Sequence, residues 1–185
     1  MSKPVPDFEA LFQQHYRALC SLAYNLVRDA DAAKDIVQDV FLKVWKNKEK
    51  FDGDQPDHYL FKATSNTALN YLRNKKKVLR FGAEPSLENI LTVSPGTHEI
   101  GFTELELKIR EAIDRLPPQC KVIYLLSRQE GLSYHQIAET LDLSVKTVEN
   151  QMSIALQKLR ESLKPFLTIG LMVLIVFLLF WLIYR

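Results

Sequence analysis

Lys146, Thr147, Asn150 and Gln151 share one side of a helix-periodic segment that opens at Ser144. Side-chain amides match the donor and acceptor on the major-groove edge of adenine, and lysine suits guanine or a phosphate. The segment that would present them, Ser133 to Leu163, reads as two helices joined by the short turn Asp142-Leu143. That is the spacing of a helix-turn-helix, in which the N-terminal residues of the second helix meet base edges. A plain helical hairpin inside a bundle has the same spacing, so spacing alone leaves both readings open.

A second group lies earlier. Lys62, Asn66 and Arg73 recur at near-helical spacing, with Phe61 and Leu69 beside them and the cations Lys75, Lys76 and Lys77 following. Apolar groups next to amides and cations can stack on and hydrogen-bond unpaired bases, while the basic run suits phosphates. A solvated polar face would read the same way. A third face, Asp35, Gln38, Asp39 and Lys43, stands off an Ile36/Val40 stripe and fits either a protein partner or water.

The elements that must hold these groups are helical. Asp7 and Asp31 are candidate caps for two amphipathic helices, Asp57 opens a third, and Phe51 to Pro56 is a turn-rich break between the second and third. Periodicity then fails from about Val78 to Gly101, where Gly82, Pro85, Pro95 and Gly96 mark a linker. Thr103 and Glu106 have capping-box spacing, Pro117-Pro118 stops one helix and starts the next, and Gly131 ends that one. Ser133 with Gln136 forms a second box, and Ser144 caps the last helix, with Val148, Met152, Ala155 and Leu159 inward. The fold class expected is all-α: two small helical domains, 7–77 and 103–164, joined by a linker over 78–102.

The run 166–184 is uncharged and almost wholly apolar, with fourteen of its residues Leu, Ile, Val or Phe. As a helix it is roughly 28 Å long, close to the hydrocarbon thickness of a bilayer. Trp181 and Tyr184 suit an interfacial belt, and Lys158, Arg160 and Lys164 before the run keep the N-terminal part cytoplasmic. A single-pass transmembrane helix is therefore expected at 166–184. The alternative, a core helix apolar all round, needs a larger protein around it. Residues 1–6 lack the apolar core of an export signal.

Net charge is only +2, so the distribution of charge matters more than its sum. Cys20 and Cys120 have no metal spacing and read as buried thiols in a reducing compartment. Scattered histidines and the lack of a Gly-rich phosphate loop argue against an enzyme, and no cofactor or metal site is expected.

These residues support a resemblance. Asp35-Ile36-Val37-Gln38-Asp39-Val40-Phe41 with Trp45 is similar to region 2.2 of bacterial sigma factors. Tyr59-Leu60-Phe61-Lys62, Asn66 and Tyr71-Leu72-Arg73 resemble regions 2.3 and 2.4. Leu116-Pro117, Gly131-Leu132-Ser133-Tyr134, Ile137-Ala138-Glu139 and Ser144 with Thr147-Val148 resemble region 4. Order and separation are those of the extracytoplasmic-function (ECF) group of the sigma-70 family, over roughly residues 8 to 163, and Thr147 to Gln151 resembles the Bacteroidetes version.

The resemblance implies sites and partners. Asp35, Gln38, Phe41 and Trp45 would dock on the β′ clamp helices of core RNA polymerase. Phe61, Lys62, Asn66, Arg73, Lys75 and Lys76 would bind −10 promoter DNA, with Asn66 near the pocket for a flipped base. Ser144, Lys146, Thr147, Asn150 and Gln151 would bind the −35 element. Gln151 and Ile154 stand where many relatives carry Arg, which weakens phosphate contacts, and Leu69 replaces a more usual polar residue. The expectation is an ECF sigma factor anchored in the bacterial inner membrane and regulated by release into the cytoplasm. An anti-sigma factor is a further partner the tail leaves open. The alternative is a membrane-anchored one-component regulator that never binds polymerase.

Overall fold

The computed structural model describes the backbone of residues 8–46, 56–80 and 104–183, and the side chains of 8–46, 56–78 and 104–166. The expected cap Asp7, the break at 51–55, the linker beyond Arg80, Thr103 and Tyr184 lie outside the described residues. Among the described residues every regular element is a helix: α1 (Phe8–Val27), α2 (Ala30–Lys46), α3 (Pro56–Arg80), α4 (Glu104–Asp114), α5 (Pro118–Arg128), α6 (Tyr134–Leu141) and α7 (Val145–Ile183).

In α2 the cap is Asp29 rather than Asp31. Its Oδ1 accepts from the backbone N–H of Ala32 at 3.0 Å, and the helix begins at Ala30. Asp31 falls in the first turn, where a carboxylate still suits the positive end of the helix dipole. α3 runs past the expected boundary to Arg80. Lys75 to Arg80 contains no breaker, and its cations favour the negative helix end. At 133–136 both bonds of the capping box are present. Gln136 N–H donates to Ser133 Oγ at 3.3 Å, and Ser133 N–H donates to Gln136 Oε1 at 2.9 Å. Ser133→Ala removes one acceptor from an exposed helix start. It is expected to cost about 1 kcal/mol in urea denaturation, since caps of this kind contribute ~0.5–2 kcal/mol.

α1, α2 and α3 pack on one another, and α4 to α7 form a second group in which α7 lies against α4, α5 and α6. The two groups are not separate bodies. α3 also touches α5 and α6, and α1 touches α5. One apolar cluster runs from Leu19, Leu22, Val37, Val40 and Leu60 through to Ile123, Leu126, Ile137 and Val148. A smaller one joins Ala112, Leu116 and Cys120 to Ala155 and Leu159.

The expected last helix, ending near Leu163, is instead the first part of a 39-residue helix that continues through Pro165 to Ile183. Pro165 lacks the N–H that would bond one turn back. Leu163, Lys164, Phe166 and Leu167 on either side are strong or adequate helix formers, and the helix carries past it. Among the described residues no helix is long and apolar enough to cross a membrane. The side chains of the apolar run expected to span the bilayer fall, after Phe166, outside that set.

Candidate nucleic-acid and partner interfaces

α2 is held by a buried stripe of Ala33, Ile36, Val37, Val40, Phe41 and Val44. The opposite face carries Asp35, Gln38, Leu42 and Trp45 at spacings of three and four, all exposed. Phe41, expected among the docking residues, is only 3% exposed. Its ring lies 4.8 Å from that of Phe12 and 6.0 Å from that of Phe8. It therefore props the helix rather than meeting a partner. Trp45 is half exposed, with one edge against Phe8 at 5.0 Å. Leu42, half exposed on the same stripe, was missed by sequence reasoning. Its position four residues after Gln38 and three before Trp45 was the available signal.

On α3, Asn66, Arg73, Lys75 and Lys76 are exposed. Lys75 Nζ stands 5.9 Å from the centre of the Tyr71 ring. Phe61, expected to meet DNA, is 6% exposed and belongs to the core. α3 is buried on a wide arc because it packs on α1 and α2 and also on α6, and Leu60, Phe61, Thr64, Ser65 and Ala68 fill that arc. Lys62 is half buried and its Nζ is bonded to Asp142 in the turn between α6 and α7.

That turn is built as the spacing predicts. Asp142 takes a left-handed conformation (φ 53°), and Leu143 N–H donates to Ala138 O at 2.9 Å. Ser144 Oγ accepts from Thr147 N–H at 3.0 Å and lies 2.8 Å from Thr147 Oγ1. Lys146 and Asn150 are exposed, with Lys146 Nζ 3.3 Å from Glu149 Oε2. Val148 and Met152 anchor the other face in the core. Gln151 is apart from this group. Its side chain is half buried, and Oε1 accepts from Cys120 Sγ at 3.0 Å, so it faces α5. Burial pushes the Cys120 thiol above its ordinary pKa, which keeps it neutral and a hydrogen-bond donor.

Two further polar contacts cross between the helix groups, and a third, within the second group, joins them. Arg28 Nε donates to Asp114 Oδ1 at 2.7 Å, and Asn25 Nδ2 donates to Gln129 Oε1 at 3.2 Å. Lys121, with a side chain only 6% exposed, donates to the same Asp114 oxygen at 2.8 Å. Burial lowers the Lys121 pKa, and Asp114 opposes that fall. Beside this cluster is an interdomain cavity of about 990 Å³, lined by Leu69, Leu72, Arg73, Lys76, Arg115 and Gln151 among others. Among the described residues no group of His, Cys, Asp and Glu could hold a metal ion.

Comparison with known proteins gives this arrangement a context. Residues 11–78 match the family model for Sigma-70 region 2, and residues 106–159 match that for Sigma-70, region 4. The chain is 32% identical over 162 residues to the RNA polymerase sigma factor NccH of Alcaligenes xylosoxydans xylosoxydans, covering 85% of this chain and 87% of that protein. It is 26% identical over 160 residues to the ECF RNA polymerase sigma factor SigE of Mycolicibacterium smegmatis, covering 86% of this chain and 62% of that relative. The fold is shared with the sigma factor RpoE of Bartonella quintana, solved in complex with the anti-sigma factor NepR. That comparison gives a TM-score of 0.68 at 24% identity, covering 86% of this chain and 98% of that one.

Proposed function

Because this chain belongs to the ECF group of the sigma-70 family, we propose that it directs core RNA polymerase to a set of promoters, helps open their −10 region, and does so under the control of a membrane anchor. It is not an enzyme. The observation that carries this reading is the presence, in one chain and in family order, of an exposed α2 face, a polar and basic α3 face, and a helix-turn-helix.

Asp35, Gln38 and Trp45 form the polymerase-docking stripe, with Leu42 supplying apolar area and Phe41 supporting it from below. Lys62, Asn66, Arg73, Lys75 and Lys76 take the −10 strand. Melting is favoured only to the extent that they bind the opened strand better than the duplex. Lys146, Thr147 and Asn150 meet the −35 major groove, and Ser144 fixes the start of that helix. Gln151 contributes through α5 rather than through a base.

The apolar run 166–184 anchors the chain in the inner membrane with the helical domains on the cytoplasmic side, and release from the anchor frees the protein to the cytoplasm. An anti-sigma factor is a partner of the same reading, since the relative of shared fold was solved with one.

The test is copurification of the full-length chain, in mild detergent, with core RNA polymerase. Stoichiometric core that is lost on Trp45→Ala supports the docking stripe. No core with either form, alongside specific DNA binding, would leave a membrane-anchored one-component regulator as the better account.

A further inference from the structure

The first turns of α4 carry exposed apolar residues on both sides. Leu105 is 50% exposed and Leu107 is 46% exposed. Residues two apart are turned about 200° from each other around a helix, so these leucines point to nearly opposite sides. Ile109, two further on, is exposed as well. A groove on a protein partner covers one side of a helix. An apolar phase that surrounds a helix end covers both.

The packing of α4 says where such a phase lies. Ala112 and Leu116 cluster with Ala155 and Leu159 of α7. Lys108 and Glu111 line a cavity of about 150 Å³ together with Ser162 and Phe166. Numbers fall along α4 as they rise along α7, so the two helices run antiparallel. Leu105 lies roughly 4.5 Å beyond Lys108 along the helix, with Leu107 between them. Both leucines therefore sit near the level of Phe166, the first residue of the apolar run 166–184.

We propose that the N-terminal end of α4 is a second membrane contact: Leu105 and Leu107 enter the headgroup boundary of the bilayer beside the point where the chain crosses it. This inference rests on the reading of 166–184 as a membrane span. The contact is apolar more than electrostatic, because the same turns carry Glu104 and Glu106 as well as Lys108 and Arg110. Two half-exposed leucines are too little to hold a chain on a bilayer without a span. Next to a span the same contact is intramolecular, and a high effective concentration lets a small apolar gain suffice. The span and α4 then fix the helix-turn-helix group to the membrane at two points, where a span alone leaves it to swing about one.

Tryptophan fluorescence in vesicles tests this. Full-length protein is reconstituted into neutral phosphatidylcholine, either plain or brominated high on its acyl chains. Trp45→Phe leaves Trp181 as the only tryptophan, a probe of the span itself. Leu107→Trp and, as a control, Glu139→Trp at an exposed position of α6 are each made with Trp45→Phe and Trp181→Phe. Interfacial helices reach about 5–10 Å into the boundary, so brominated lipid is expected to lower Leu107→Trp emission about 2-fold or more. Emission from Glu139→Trp should not change, and adding Leu105→Gln to Leu107→Trp should restore part of the lost signal. Trp181 quenched with Leu107→Trp unchanged overturns the contact and leaves the span standing. Neither quenched overturns the contact together with the span. Leu107→Trp quenched with Trp181 unchanged supports the contact and counts against the span alone. Equal quenching at Leu107→Trp and Glu139→Trp also overturns the proposal, because lipid then meets the domain without preference for α4.

Discussion

Asn66→Ala is expected to reduce promoter-specific run-off transcription by roughly 5- to 150-fold while leaving core polymerase binding intact. The range follows from about 1–3 kcal/mol for a well-placed bidentate contact to a base. Asn66 is exposed on α3 between Lys62 and Arg73, and the residues that fix the helix beneath it, Leu60, Thr64, Ser65 and Ala68, are all buried. The substitution therefore removes an exposed amide and leaves the packing alone, so fold stability should change by no more than a few tenths of a kcal/mol. Permanganate footprinting separates the step affected: complexes should still form through the −35 helix, but reactive thymines in the −10 region should be lost. Wild-type transcript levels from Asn66→Ala would remove this residue from the melting face.

A chain ending at Lys164 is expected to move from the membrane fraction to the soluble fraction almost completely. Each Leu, Ile, Phe or Val near the centre of a span favours insertion by about 0.3–0.6 kcal/mol, and fourteen residues of the run 166–184 are of these types. The cut leaves the described core untouched, because its last members on α7 are Leu159 and, at its edge, Leu163. If the anchor restrains the protein, the shortened form should also transcribe its target genes several-fold more strongly at matched protein level. The continuity of α7 bears on why. The helix that carries Lys146 and Asn150 is the same helix that runs on through Pro165 to Ile183. Equal or lower output from the shortened chain would leave the anchor a matter of location and not of restraint.

Much of this architecture was legible in the chain because the signals are local. The periodic stripes of α1, α2 and α3, the Ser133/Gln136 box, the Ser144 cap and the Pro117-Pro118 break each depend on neighbours within a turn or two. What escaped the sequence depends on partners far along the chain. Arg28 and Asp114 are 86 positions apart, and Lys62 and Asp142 are 80 apart. Neither pair has any spacing to read.

The same long-range packing explains the misplaced site residues. Phe61 sits off the periodic inner face of α3, yet it is buried in the core cluster, on a helix that α6 also contacts. Gln151 follows Asn150 and looks equivalent to it by type, but one step around the helix turns it toward Cys120. The miss at the start of α2 was local: Asp29, two residues before the expected Asp31, accepts the Ala32 N–H.

The central claim is that this chain gives core polymerase a promoter specificity it otherwise lacks. The most direct measurement combines purified full-length protein, core RNA polymerase and sheared genomic DNA from the source organism, followed by sequencing of transcript 5′ ends. The account predicts discrete start sites that require both proteins and share spaced upstream −35 and −10 elements. Start sites no different from those of core polymerase alone, from protein that still binds DNA, would contradict it.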